Sequence, residues 1–282
     1  MEERKVHRPN RLGLFMNRLP KIRILYPLYR ASKLYRTENT LYFEQLPAEL
    51  DGLRVVFAAD IHYGAYLSRE RVLDLAARMN AERGDLILLG GDFGEDTAAS
   101  LALWREIRPC FEARMGAYAV PGNHDLTDPD RRKDLAEAMA DATAVLLTNR
   151  AVDLPVNGGR ITLAGVDDIY MGAPSEDLLE KECEGKGFTI LLTHSPDVLP
   201  AYFEKHEKAH FDLVLCGHTH GGQIAVAGKA IHSSSRFGNR YNMGQKNENG
   251  ATILITQGVG TSMLPIRWGT KPEYHVITLR KK

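Results

Sequence analysis

The chain has only three cysteines among 282 residues, no long apolar run and no net charge, and each shortage closes off a class of protein. Cys110, Cys183 and Cys216 are far apart and odd in number, with no CxxC pair, so the sequence predicts no disulfide framework and a reducing, cytoplasmic setting. Cys216 ends the apolar run Leu213-Val214-Leu215-Cys216 and reads as a buried packing residue. No stretch approaches the roughly 20 apolar residues that cross a bilayer. Arg18, Lys21, Arg23 and Arg30 interrupt every candidate signal-peptide core, and no twin-arginine pair stands near the start. The expected protein is soluble or lies on a membrane surface.

Lys+Arg and Asp+Glu stand at 36 each, but the balance is uneven along the chain. Residues 1–36 hold ten Lys/Arg against Glu2 and Glu3, a charge of +8, which leaves −8 for residues 37–282. A mildly acidic body argues against broad nucleic-acid binding. Residues 12–35 mix the basic side chains with Leu12, Leu14, Phe15, Ile22, Ile24, Leu25 and Leu28. Such a segment suits the headgroup region of an anionic membrane, peripheral on its inner face. An arm packed on the body is the alternative, and Pro20 and Pro27 speak against one long helix. The expected organisation is a basic, apolar arm at 1–38 followed by one domain at 39–282.

At 44% apolar residues the body can bury a full core. Thr40–Gln45 is strand-like, and from Leu53 strands and helices alternate. Leu53–Ala59 reads as a buried strand, 68–83 as a helix with Val72, Leu75, Ala76 and Met79 on one face, and Leu86–Leu89 as the next strand. Helices are expected near 98–107 and 130–140, with a strand at Tyr118–Val120 between them. After the turn Asn157-Gly158-Gly159 the strands Ile161–Ala164, Thr189–Leu192, Leu213–Cys216, Ile253–Thr256 and His275–Leu279 dominate, and 233–250 reads as a surface loop. The pattern predicts an α/β fold: a four-layer α-β-β-α sandwich, two mixed sheets face to face with helices outside.

Five short motifs follow apolar strand-like runs: Asp60-Ile61-His62, Gly91-Asp92, Gly122-Asn123-His124-Asp125, Thr193-His194 and Gly217-His218-Thr219-His220. Functional side chains gather beyond the carboxyl ends of strands in α/β sheets, so these motifs are expected to meet. Carboxylate, imidazole and amide oxygen together suit Mn, Fe, Zn or Ni rather than Mg or Ca. The inventory of two Asp, one Asn, four His and a spare His fits two divalent ions sharing a carboxylate, with an extra acid beside them.

The run D-x-H, G-D, G-N-H-D, H, G-H-T-H resembles the calcineurin-like metallophosphoesterase superfamily over about residues 53–280. The details Thr193-His194-Ser195-Pro196-Asp197, Gly217–Gln223 and the ending Gly258–Ser262 with Pro265 are similar to its bacterial YkuE/YaeI-type phosphodiesterase branch. The resemblance implies that Asp60, His62 and His220 bind a first ion, Asp92 bridges, and Asn123, His194 and His218 complete a second site. It further implies that His124 stays off the metals and assists the leaving oxygen, with Asp125 orienting it. Ala59, where related sequences often carry Ser, departs from the pattern. The implied activity is dinuclear-metal hydrolysis of a phosphodiester or pyrophosphate by a metal-bound hydroxide. Some members of that wider group are membrane-associated and some cleave UDP-2,3-diacylglucosamine, which is the alternative substrate class. A non-catalytic protein-binding scaffold of the same fold is the third reading, disfavoured because every expected ligand is kept.

No substrate-binding residue is assigned by these motifs, but several are candidates. Arg236, Arg240 and Lys246 read as a solvated loop or as contacts to a second phosphate or nucleotide. Arg267-Trp268 can be packing or a substrate wall, and Asp167-Asp168 a turn or part of the site lining. His7, His206, His210, His232 and His275 fit no motif.

Overall fold

Apolar runs four or five residues long become the inner strands of two six-stranded sheets in a computed structural model that describes residues 26–282, apart from 143, 176 and 178–180. The first sheet runs β1 (Tyr35–Phe43), β14 (Glu273–Lys281), β2 (Arg54–Ala58), β3 (Leu86–Leu89), β4 (Ala117–Ala119), β5 (Ala144–Leu146). Strands β2 to β5 are parallel, while β14 lies antiparallel to β2 and parallel to β1. The second sheet runs β12 (Gly244–Glu248), β13 (Ala251–Ile255), β9 (Leu213–Cys216), β8 (Thr189–Leu192), β7 (Gly159–Gly165), β6 (Arg150–Val156). Its four inner strands are parallel and its two edges antiparallel. A small hairpin pairs β10 (Ala225–Val226) with β11 (Lys229–Ala230).

Alternation along each strand decides the layers. Val55 and Phe57 of β2, Leu86 and Leu88 of β3, and Ile277 and Leu279 of β14 join Leu163, Ile190, Leu192, Leu213 and Leu215 in a core between the sheets. Their neighbours Val56, Ala58, Ile87 and Leu89 point outward. There they meet α2 (Arg69–Ala81), α3 (Thr97–Ala102) with the π-turn Leu103–Ile107 that continues it, and α4 (Arg132–Asp141). On the far side, Leu191, Val214, Cys216 and Ile253 pack against Leu199, Tyr202 and Phe203 of α5 (Leu199–Lys205), so Cys216 is a core residue as expected. A short α1 (Tyr26–Ala31) precedes β1. The α-β-β-α sandwich therefore stands, and each fully buried Leu, Ile or Phe contributes about 1.5–3 kcal/mol to it.

Departures from expectation fall at the edges. The stretch 233–250, read as a loop, contains β12, whose sequence Gly-Gln-Lys-Asn-Glu carries no apolar alternation because it is an exposed edge strand. The strand expected at Thr40 starts at Tyr35, again a polar edge strand with alternately exposed side chains. β5 and α5 have no counterpart in the sequence reading; the one is three residues long, and the other opens on Leu-Pro and runs seven. Most of the basic, apolar arm, residues 1–25, lies outside the described residues, and Tyr35–Glu38 pair with Glu273–Val276. Among the described residues no helix is long and apolar enough to cross a membrane.

Candidate metal centre

The carboxyl ends of β2, β3 and β4 in one sheet and β8 and β9 in the other open toward a common point, because the strands of each set run parallel. Turns leaving these strands are stitched together through backbone bonds: Asp60 N to Gly91 O at 2.9 Å, His62 N to Asp92 O at 3.0 Å, Gly217 N to His194 O at 2.9 Å. Two glycines permit this closeness. A Cβ on Gly217 would fall on the Asp60 carboxylate, and one on Gly122 on that of Asp92. The motif residues themselves carry the strain, with positive φ at Asp60 (54°), His62 (48°), Asp92 (53°), His218 (69°) and His220 (51°). Five non-glycine residues in this sparsely populated region, all in the motif turns, mark a site that the surrounding fold holds under constraint.

The side chains converge as two overlapping sets. In the first, His62 Nε2 lies 3.0 Å from His220 Nε2 and 3.4 Å from Asp92 Oδ2, and His220 Nε2 lies 3.6 Å from Asp60 Oδ1. In the second, His194 Nε2 lies 3.3 Å from Asp92 Oδ2, 3.1 Å from Asn123 Oδ1 and 3.3 Å from His218 Nδ1. Asp92 belongs to both. His194 Nδ1 donates to the Gly90 carbonyl at 2.8 Å, so its Nε2 offers a lone pair toward two oxygens that are themselves acceptors. Acceptors facing acceptors at this range call for a cation between them, and this donor mixture suits a divalent transition metal. Three groupings (Asp60, His62, His220; His62, Asp92, His124; Asp60, Asp92, His194) each place their candidate ligand atoms within 4.8 Å of one another.

Electrostatics agree. Burial pushes the Asp60 carboxyl up to about 7 against the pull of His194, with Asp92 adding to the rise. Burial alone would raise Asp92 too, but His194, His62 and His124 hold it below the ordinary carboxylate range. Burial drives His62 down to about 3, His218 to about 4 and His220 well below its usual range, which keeps these imidazoles neutral and free to donate a lone pair. For His194, burial opposes the cation, yet Asp92, through its charge and a hydrogen bond, and then Asp60 and Asp168 outweigh it and raise it, so that a proton on Nε2 takes the place between acceptors that a metal would fill. That surplus of buried negative charge is what a bound metal would neutralise.

Around this cluster the expected helpers sort differently. The His124 ring is fixed by Nδ1 donating to the Glu95 carbonyl at 2.8 Å, not by Asp125. Asp125 instead accepts from Asp92 N (2.8 Å), Phe93 N (2.9 Å), Gly122 N (2.8 Å) and Ser100 Oγ (2.6 Å). It is a buried staple between two ligand-bearing turns, a correction to its expected contact with His124, because three unpaired backbone N–H groups outcompete one ring. Arg267 is no substrate wall: fully buried, it donates to the carbonyls of His220 at 3.1 Å and Gly260 at 2.5 Å, bracing the His220 turn, while Trp268 is exposed. Asp168 forms a turn, accepting from Tyr170 N and Met171 N at 2.8 and 2.7 Å. Asp167 is salt-bridged to Arg132. Two residues outside the five short motifs also bear on the cluster: Tyr170 stacks on His218 with ring centres 4.9 Å apart, and Asp197 anchors Tyr170 from behind. Asp197 ends the Thr193–Asp197 stretch, which was a signal for it; Tyr170 had none.

Comparison with known proteins bears on what such a centre does. Residues 53–222 match the family model for the calcineurin-like phosphoesterases. The Bacillus subtilis protein YpbG is 30% identical over 230 residues, covering 80% of this chain and 81% of its own. The metallophosphoesterase YkuE of the same organism is 28% identical over 86% of this chain and 85% of its own. Phosphodiesterase YaeI of Escherichia coli is 27% identical over 80% and 82% respectively. Since the matched span runs from the start of β2 to the turn that carries His220, and takes in every member of both donor sets, the chain belongs to the calcineurin-like phosphoesterase family, hydrolases of phosphoester bonds.

Proposed function

We propose that the protein hydrolyses a phosphodiester or pyrophosphate with two divalent transition-metal ions, Asp60, His62 and His220 holding one, Asn123, His194 and His218 the other, and Asp92 both. The observation that carries this is the position of Asp92 Oδ2, within 3.4 Å of His62 Nε2 and 3.3 Å of His194 Nε2. Ions held there would supply positive charge to the phosphoryl oxygens and would lower the pKa of a water. The chain supplies the rest. Asp60, His62, Asp92, His194 and His220 are buried, whereas Asn123, His124 and His218 are only half-buried, so the substrate reaches the centre on their side. His124, with Nδ1 committed to Glu95, keeps Nε2 to carry a proton to the leaving oxygen. The Asp125 staple and the Arg267 brace hold the turns that aim these groups.

The test pairs elemental analysis with turnover. Protein purified from metal-replete medium should carry close to two equivalents of transition metal and hydrolyse bis-p-nitrophenyl phosphate. Asp92→Asn should lose metal and at least ~10² in rate, since one ligand serves both ions. Wild-type protein that binds no transition metal would overturn the reading.

A further inference from the structure

We infer that Arg236, mounted on Tyr170, forms a subsite for a second phosphate of the substrate, beyond the one cleaved. This deepens the proposed phosphohydrolase reading and rests on it: the favoured substrate class becomes a pyrophosphate or another molecule with two linked phosphates.

Three basic residues share the loop and edge strand that follow the small hairpin, and the structure separates them. Arg240 is salt-bridged to Glu248 and lies 5.1 Å from the centre of the Tyr241 ring. Lys246 Nζ sits 5.7 Å from that same ring. Both are committed to the Tyr241 ring. Arg236 is not: its guanidinium is exposed, makes no ion pair among the described residues, and lies 4.7 Å from the centre of the Tyr170 ring. Tyr170 in turn stacks on His218 at 4.9 Å with 28° between the planes. Imidazole, phenol and guanidinium thus build a shelf outward from the second donor set, on the side where the cluster is open.

The shelf is held from behind by a buried carboxylate. Asp197 accepts from the Tyr170 hydroxyl, from Ser235 Oγ at 2.5 Å and from the Arg236 backbone N at 2.7 Å. It therefore fixes both the ring and the loop that bears the arginine, while the guanidinium stays clear of it. From the other end, Asp168 Oδ1 takes the backbone N–H groups of Tyr170 and Met171. A surface arginine is ordinarily mobile or paired. Here a cation is positioned over an aromatic face, with no carboxylate partner among the described residues, beside the centre proposed to cleave a phosphate ester. Its planar fork of donors matches a phosphate oxygen pair, which a mobile lysine would not. A substrate with one phosphate at the donor sets and a linked phosphate reaching Arg236 would use both.

The experiment compares wild type with Arg236→Ala and Arg236→Lys on two substrates, bis-p-nitrophenyl phosphate and UDP-glucose. Arg236→Ala should lower the ratio of kcat/KM for the pyrophosphate to that for the diester by about 10-fold or more, chiefly through KM, on the scale of one charge-assisted contact. Arg236→Lys should recover part of that loss. Calorimetric binding of methylenediphosphonate to the metal-loaded proteins should weaken by a similar factor in Arg236→Ala. A substrate ratio within about twofold of wild type, or equal affinity of both proteins for the diphosphonate, overturns the subsite. A metal-loaded wild type inactive on both substrates instead overturns the phosphohydrolase reading, and the diphosphonate affinities still decide the role of Arg236.

Discussion

His124 differs from the other motif histidines in what its nitrogens do. Its backbone N–H donates to Asp92 Oδ1 at 2.9 Å and its ring meets His62 edge-on at 4.8 Å, but Nδ1 is spent on a carbonyl. A group fixed so firmly at one nitrogen is aimed at the other. His124→Ala should therefore lower kcat on bis-p-nitrophenyl phosphate by about 10²–10⁴, the usual range for a positioned acid, with metal content close to wild type. Full activity in that variant would remove His124 from the chemistry. The contrast with Asp125 shows where single residues were legible in the sequence. Asp60, Asp92, His194 and His218 could be read as candidate site residues because each follows an apolar strand, and the fold does bring them together. The partner of Asp125 could not be read, since its bonds go to backbone N–H groups of Asp92, Phe93 and Gly122, which any sequence supplies. Nor does residue type reveal that five site residues sit at positive φ; the turns impose it.

Inner strands were legible and edges were not, for one reason: a strand buried on both faces needs an unbroken apolar run, while an edge strand needs only a neighbour. β12 had a signal of a different kind, the pair Asn249-Gly250 with φ of 46° and 83°, the Asn-Gly turn of a tight hairpin. β1 is tied to β14 by a buried polar group rather than by apolar packing alone. Glu273 accepts from Thr37 Oγ1 at 2.5 Å, pairs with Lys271 at 3.2 Å, and takes Gln257 Nε2 at 2.8 Å from the segment leaving β13 of the opposite sheet. Burial would raise its carboxyl, but the His275 contact, Thr37 and Lys271 outweigh this and hold it below the ordinary glutamate range. A depressed folded-state value means that the ionised form stabilises the fold above the unfolded value of about 4.3, and that this share is lost as pH falls through the folded value. Glu273→Gln should then cost about 1–3 kcal/mol at pH 7, read from urea midpoints, and the gap from wild type should narrow below about pH 4. A gap that stays constant down to pH 3 would mean that the charge is not what joins these elements.

Each donor set draws on both halves of the sandwich. Asp60, His62 and Asp92 leave the first sheet and meet His220 from the second; Asp92 and Asn123 leave the first and meet His194 and His218 from the second. An ion in either place would clamp one sheet to the other at the open end of the interface, where the core of Leu, Ile and Phe gives way to buried carboxylates and imidazoles. Without it, Asp60 and Asp92 face each other with only neutral or half-compensating histidines between them, an arrangement that costs stability. Metal binding must therefore appear in global unfolding and not only in turnover, because a ligand that binds the native state alone adds RT ln(1 + [L]/Kd), about 4 kcal/mol at a thousandfold excess over Kd. At about 2–4 °C for each kcal/mol in a chain of this size, Mn²⁺ or Zn²⁺ should raise Tm by about 8–15 °C, and excess EDTA should reverse it. The gain should fade in mild acid, as ligand imidazoles take up protons and release the ion. A Tm indifferent to metal and chelator at pH 7.5 would mean that the seven side chains hold no ion between the sheets, however well their geometry fits one.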